Sequence, residues 1–114
     1  MKTIAAACLL ALAAPAGAHA FSFCDVPMRH AAQAAQYRDF GVSIAPLIQD
    51  DQAGIRMPDA PGLSKAYGDR ITRMLKYDIL TMRWVYAHPT ISAADAAGVG
   101  ERECNRSLAG EPWG

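Results

Sequence analysis

The sequence predicts an all-α domain, a small bundle of about four helices around a long central helix, held by one disulfide. Three observations favour this fold. Apolar residues recur at helical spacing through the middle of the chain. Capping residues, glycines and prolines mark the ends of four such segments, while the alternation typical of strands is nearly absent. Two cysteines, Cys24 and Cys104, lie near the two ends of the predicted domain.

The first 20 residues are typical of a secretory signal peptide. Lys2 supplies a positive charge, Ile4 to Ala14 form an apolar run, and Ala18-His19-Ala20 places small residues where a signal peptidase cleaves. The apolar run is shorter than the roughly 20 residues that a membrane helix needs. We therefore expect export to the periplasm or full secretion without a stable membrane anchor, and a single domain over residues 21–114.

The charge balance of this domain excludes two classes of partner. Removal of the predicted signal leaves ten Lys and Arg against eleven Asp and Glu, a net charge near −1. The cations are scattered along the sequence. Nucleic-acid-binding proteins and membrane-surface helices carry a basic excess, so we expect neither a nucleic acid nor a membrane as partner.

The cysteines favour a structural disulfide. Cys8 belongs to the predicted signal, which leaves Cys24 and Cys104 to pair in an oxidising compartment. The loop that they close holds about 80 residues, for which chain entropy predicts a stabilisation of about 4 to 5 kcal/mol. A metal pair and a redox pair are the alternatives. The sequence supports neither alternative, because it has no C-x-x-C motif and no histidine at ligand spacing from either cysteine.

The first helix is predicted from Val26 to Phe40. Asp25 is placed to cap it and Gly41 to end it. Its interior is rich in alanine, and small residues on one face would let another helix approach closely. Helical phasing puts Cys24 on the same side of this helix as Met28.

A shorter second helix is predicted from Ile44 to about Gln52. Ser43 can cap it and Gly54 can close it. The stretch 55–62 contains two prolines, which disfavour both a helix and a central strand. We expect an ordered connector there.

The third predicted helix, Leu63 to Ala87, is the longest, and His88-Pro89 ends it. Its apolar residues gather into one broad arc at helical spacing, which is typical of a core helix. The members of this apolar arc are Leu63, Tyr67, Ile71, Met74, Leu75, Ile79, Met82, Val85 and Tyr86.

The fourth helix begins at a capping box formed by Ser92 and Asp95. Cys104 falls on a stripe of small residues that includes Ala97 and Gly100, so the disulfide is predicted to lie where two small-residue surfaces meet. The tail from Gly110 to Gly114 is expected to fray, with folding back of Trp113 as the alternative.

Several short motifs give the mature chain a resemblance. They are the cysteine near the mature N-terminus, the Gly41-Val42-Ser43 turn after an alanine-rich helix, Trp84-Val85-Tyr86-Ala87-His88-Pro89, the Ser-x-x-Asp cap and the late Cys104. With these the chain resembles small uncharacterised secreted helical proteins of proteobacteria. The resemblance implies an exported helical fold with a terminal disulfide and no particular activity. In format alone, the chain is similar to acid-stress chaperones of the HdeA type, from which no functional residue is transferred.

No catalytic arrangement is evident. The mature chain has two histidines, His30 and His88, and a disulfide would leave only ordinary hydroxyls as nucleophiles. His88 is expected to complement the dipole at a helix C-terminus, and His30 to be a surface or packing residue. We predict that the protein is not an enzyme.

No metal site or cofactor is predicted either. A copper site could be assembled from His30 and four methionines, but methionine is ordinary filler in an apolar core. The acidic pairs Asp50-Asp51 and Glu101/Glu103 lack the alternating oxygen ligands of a calcium loop. They are expected to be solvated. The methionines weighed for copper are Met28, Met57, Met74 and Met82.

Asp78 interrupts the apolar arc. A buried carboxylate must be paired or protonated. The structural explanation is that Asp78 lies at the edge of the arc or meets an arginine or a helix N-terminus. The functional alternative is a pH-sensitive switch.

Tyr77, Leu80 and Trp84 form a second stripe on the opposite side of the third helix. Either another helix covers these residues or they form an interface, since aromatic and aliphatic anchors are frequent at binding hot spots. We expect an exported helical protein that acts through protein contacts, with a partner or a second copy, in a chaperone-like, stress-related or accessory role. The alternative is a small ligand carrier or an enzyme without a recognisable motif.

Overall fold

A computed structural model describes residues 22–56 and 62–114. The predicted signal peptide, with Cys8, and most of the predicted connector, with Met57, lie outside these ranges. No helix within the described ranges is long and apolar enough to cross a membrane.

The described chain folds into four helices, as the sequence predicts, and contains no strand. They are α1 (Asp25–Asp39), α2 (Ala45–Ile55), α3 (Lys65–Tyr86) and α4 (Ala93–Ala109). Helix α2 runs past Gly54, which was expected to close it, because a single interior glycine costs a helix only about 1 kcal/mol. The predicted all-α bundle around a long central helix is confirmed.

Local hydrogen bonds explain where the helices begin. The Ser92 hydroxyl accepts a hydrogen bond from the backbone N–H of Asp95 at 3.1 Å, as the capping box predicts. The first helix differs from expectation, since its N-cap is Cys24 and Asp25 is already in the first turn. The Asp25 carboxylate instead accepts a hydrogen bond from the backbone N–H of Ser22. Ser64, which was not singled out, caps α3 through the backbone N–H of Tyr67.

Helix α1 packs against both α3 and α4, α4 packs against α3, and α2 packs mainly on α3. The main core combines small residues of α1 with larger apolar residues of α3. Its buried members are Ala31, Ala34, Ala35, Ile44, Met82, Val85 and Ala96. Leu63 and Tyr67, the first residues of the predicted apolar arc, are exposed instead, so the buried part of the arc begins further along α3.

The predicted disulfide is present between Cys24 and Cys104, whose Cα atoms are 5.6 Å apart. It joins the start of α1 to α4 where the two helices approach most closely. A Cβ atom added to Gly100 would lie 2.5 Å from the Pro27 carbonyl oxygen and 3.0 Å from Ala31 Cβ. Two small-residue surfaces therefore meet beside the disulfide, as helical phasing predicts.

Arg38 ties α1 to the end of α3. Its guanidinium donates hydrogen bonds to the backbone carbonyls of His88 at 2.6 Å and Ile91 at 2.7 Å, and a longer one to Val85. These carbonyls belong to the last turn of α3 and to the connection before α4, where those of Val85 and His88 also accept backbone N–H groups of the turn. One side chain of α1 therefore fixes the turn between the other two helices.

The C-terminal tail packs against the bundle, where the sequence predicts fraying. The Tyr77 hydroxyl donates to the Glu111 carbonyl, and the Trp113 indole donates to the Thr81 hydroxyl at 3.1 Å. The backbone N–H of Gly114 donates to Glu103 at 3.0 Å. Glu103 is buried rather than solvated as expected, and a buried carboxylate needs such donors. The tail supplies one of them.

Candidate functional site

The stripe predicted as an interface lies on the side of α3 opposite Asp78, and its last member, Trp84, packs partly against the main core. Leu80 is 42% exposed at its centre. Tyr77 and Trp84 are half-buried, and the Trp84 ring stacks on the His88 imidazole with 4.0 Å between centroids. The predicted stripe is thus neither covered by another helix nor fully open.

Exposed cations surround Leu80. Seven and four residues before Leu80 lie Arg73 and Lys76, and three residues after it lies Arg83. This spacing places all three cations on the same side of the helix as Leu80. We call Arg73, Lys76, Tyr77, Leu80, Arg83 and Trp84 together the outer face of α3.

No exposed acid balances these cations within the helix's second half. Between residues 70 and 94 the sequence has a single acidic residue, Asp78, and it is buried on the opposite side of α3. Asp69, one turn before Arg73, forms an ion pair with Lys65. Cations that are scattered along the sequence are therefore gathered by the helix into one positive surface.

A second feature lies in the interior, where α1, α2 and α3 each contribute one ionisable side chain. His30 Nδ1 is 2.6 Å from Asp78 Oδ2 and 3.7 Å from Asp51 Oδ1. The side chains of His30, Asp51 and Asp78 are 18%, 3% and 0% exposed. We call these three residues the buried cluster.

Each member of the buried cluster is placed by its helix. Asp78 lies one turn from both Met74 and Met82 on the buried side of α3, so it enters the core with them. Asp51 is the buried residue of α2, while its neighbour Asp50 is exposed. The expectation that both were solvated is wrong for Asp51, because α2 turns that side towards α1 and α3.

The buried cluster contains two carboxyl groups and neither lysine nor arginine. Burial, a hydrogen bond with Asp78 and repulsion by Asp78 and Asp50 raise the pKa of the Asp51 carboxyl to about 9. When both carboxyls are ionised, Asp51 Oδ2 and Asp78 Oδ1 are buried without a hydrogen-bond donor among the described residues, whereas a proton on Asp51 lets its carboxyl donate to Asp78. Two ionised carboxylates in this position would be costly, so the cluster requires either a proton on Asp51 or a bound cation.

The stability of the protein should depend on pH through Asp51. Because its folded-state pKa lies above the ordinary value of 3.8, the stabilisation is complete below about pH 3.8 and is lost as the pH rises towards about 9. We expect Asp51→Asn, which keeps a neutral side chain at every pH, to gain stability over wild type between about pH 5 and 9, by at most about 1.4 kcal/mol per pH unit. Urea unfolding in buffer with a chelator measures this difference.

The matched control is Asp50→Asn, which removes an exposed acid one position away and leaves the buried cluster intact. Its unfolding free energy should still fall as the pH rises, by slightly less than that of wild type, because only the smallest contribution to the raised pKa of Asp51 is removed. Parallel curves for Asp51→Asn and wild type would instead show that Asp51 is ionised in the folded protein.

Within the described ranges, His30, Asp51 and Asp78 also form a group of potential metal ligands, with one donor atom from each residue within 4.8 Å of the others. Glu103 is similarly buried, but Arg102 and Arg106 lie within ion-pair distance of its carboxylate. It has a structural explanation that the buried cluster lacks.

Comparison with protein-family models, with curated proteins and with solved structures gave no match to this chain. Function is therefore inferred from two features of the molecule, the outer face of α3 and the buried cluster.

Proposed function

We propose that the protein is exported to the periplasm or secreted, and that it acts there by binding an acidic segment of a partner protein on the outer face of α3. The observation that carries this proposal is Leu80, an exposed apolar side chain that shares one side of α3 with Arg73, Lys76 and Arg83, in the half of the helix that has no exposed acid. Such a surface suits a segment with a large apolar side chain flanked by Asp or Glu.

The composition of the outer face favours an interface. Binding hot spots are rich in Trp, Tyr and Arg around an apolar anchor, and the outer face offers Trp84, Tyr77, Arg73 and Arg83 around Leu80. Its charge would speed the encounter with an acidic partner and reject basic ones. Two copies of this chain meeting through this face would oppose like charges, so a different partner is favoured over self-association.

An anionic membrane is less suited to this surface. Helices that lie in a membrane interface bury a continuous apolar face in the lipid. The apolar face of α3 is already buried in the core, and Leu80 is the exposed large apolar residue of its outer face. One leucine gives too little apolar area for stable membrane binding.

Export is supported by the chemistry of the cysteines. The disulfide between Cys24 and Cys104 requires an oxidising compartment to persist. The signal-like first 20 residues are consistent with that route. The similarity in format to acid-stress chaperones suggests a chaperone-like role. In that role, the acidic segment belongs to an unfolded client protein.

A defined acidic peptide tests the proposed binding. The probe is a fluorescent peptide of alternating glutamate and leucine, titrated with the disulfide-bonded protein and followed by anisotropy. Leu80→Asp should weaken binding by about tenfold or more, because it removes the anchor and adds an acid to the surface. Added salt should weaken binding to wild type as well.

Leu63→Asp is the matched control, since Leu63 is also 42% exposed but lies before α3 and outside the outer face. It should change the affinity by less than about twofold. Absence of peptide binding to wild type, or an equal loss in the two variants, would contradict the proposal. Binding that is strong only to vesicles of anionic lipid would point to a membrane instead.

A further inference from the structure

We propose that His30, Asp51 and Asp78 form a binding site for one divalent transition-metal ion of the zinc class. The site is distinct from the outer face of α3 and does not depend on the function proposed for that face. Its three donors come from three helices and lie within 4.8 Å of one another.

The distances between the donor atoms are close to those that a shared ion requires. Zinc lies about 2.0 to 2.2 Å from imidazole nitrogen and carboxylate oxygen, so two ligands of one ion are about 3 to 4 Å apart. The 3.7 Å between His30 Nδ1 and Asp51 Oδ1 already meets this condition. The 2.6 Å between His30 Nδ1 and Asp78 Oδ2 is a hydrogen-bond distance and must lengthen.

The unpartnered carboxylate oxygens indicate that the His30–Asp78 hydrogen bond does not satisfy the whole cluster. Asp51 Oδ2 and Asp78 Oδ1 are both buried and accept nothing from the described residues. A buried acceptor without a partner costs about 1 to 3 kcal/mol, and more if it is charged. An ion would satisfy them if each carboxylate bound it through the unpartnered oxygen or through both of its oxygens.

The charge of the cluster favours a dication. Two carboxylates carry two negative charges, and a neutral imidazole adds none, so one divalent ion makes the buried group neutral. A single added proton leaves one negative charge unless His30 is protonated as well. Because an uncompensated charge in the interior is costly, the dication gives the better balance.

The donor set selects the kind of ion. An imidazole nitrogen with two carboxylates suits zinc and its neighbours among the first-row metals. Calcium takes six to eight oxygen ligands and magnesium an octahedron of oxygens, which three donors that include a nitrogen do not supply. The cluster contains no thiolate or thioether, so monovalent copper is disfavoured. The half-buried His30 gives the ion a path from solvent.

Titration of the chelator-treated, disulfide-bonded protein with Zn²⁺ in a calorimeter tests the proposed site. We expect one Zn²⁺ per chain and a rise in the melting temperature, because an ion that binds only the folded state stabilises it. Mg²⁺ and Ca²⁺ at the same concentration should bind at least about tenfold more weakly.

Two pairs of variants locate the ion. Asp51→Asn and His30→Gln should weaken Zn²⁺ binding by at least about tenfold, since each removes one of three ligands. Asp50→Asn and His88→Gln remove an exposed acid and an exposed histidine outside the cluster, and they should keep the wild-type affinity within about threefold. Far-UV circular dichroism checks that the variants fold.

The outcomes separate a site from incidental binding. No Zn²⁺ binding to wild type, or equal binding to Asp51→Asn and wild type, would overturn the proposal. If His30→Gln fails to fold, Asp51→Asn decides alone, because a neutral amide at that position suits the metal-free core. Loss of binding in His88→Gln instead would place the ion at the surface.

Discussion

Replacement of Cys24 and Cys104 by alanine is expected to lower the free energy of unfolding by about 4 kcal/mol. The disulfide closes a loop with a sequence separation of 80 residues, and its loss frees that loop in the unfolded chain. Domains of this size have total stabilities of about 5 to 15 kcal/mol, so the change is a large fraction of the whole. Urea unfolding of the oxidised wild type and of the double variant measures it.

The reducing agent provides the control. Wild type in dithiothreitol should unfold at nearly the same urea concentration as the double variant, and the double variant should not respond to the reagent. Equal midpoints for oxidised and reduced wild type would mean that helix packing alone holds the ends of the bundle together.

Gly100→Ala is expected to lower the free energy of unfolding by about 2 kcal/mol. The added methyl group would meet the Pro27 carbonyl oxygen at 2.5 Å, and that atom belongs to the backbone of α1. The helices must separate, at a cost of about 3 kcal/mol, while the better helix propensity of alanine returns about 1 kcal/mol. Chemical denaturation monitored by circular dichroism checks the difference.

Gly98→Ala is the matched substitution in the same helix. A Cβ at this position meets no atom within 4 Å, so only the gain in helix propensity remains. It should stabilise the protein by about 0.5 to 1 kcal/mol. If the two alanine variants have the same stability, the close approach of α1 and α4 at Gly100 is not a constraint on the fold.

The helices could be predicted because their signals are local. The Ser92 cap and the spacing of apolar residues in α3 involve residues within one or two turns of each other, and the structure confirms both. Pairing of Cys24 with Cys104 followed from having two cysteines in the predicted mature chain. What these signals leave open is which side of each helix a distant segment will cover.

The buried cluster shows this limit. Asp78 could be singled out because a carboxylate within an apolar arc conflicts with the pattern around it. The burial of Asp51 could not be predicted in this way. A pair of adjacent aspartates has the same sequence whether one of them is buried or both are solvated. His30 and Asp51 meet Asp78 only through the packing of three helices, which the spacing of residues within one helix does not encode.

Fraying was the wrong expectation for the tail for a related reason, whereas the alternative that Trp113 folds back is met by its hydrogen bond to Thr81. Glycine and proline near residue 110 predict little regular structure, and the tail indeed has none. Its order comes from partners in α3 and α4, namely Tyr77, Thr81 and the buried Glu103. Those partners are far from the tail in sequence, and the burial of Glu103 was not foreseen.

Helix α3 carries the outer face on one side and Asp78 of the buried cluster on the other, with Leu80 only two residues after Asp78. A helix moves as a unit, so a partner that shifts α3 also changes the separation of Asp78 from His30 and Asp51. Thermodynamic linkage then makes the effect mutual: whatever factor an ion adds to the affinity of the partner, the partner adds to the affinity of the ion. If both proposed ligands bind and the partner shifts α3, each therefore changes the affinity of the protein for the other.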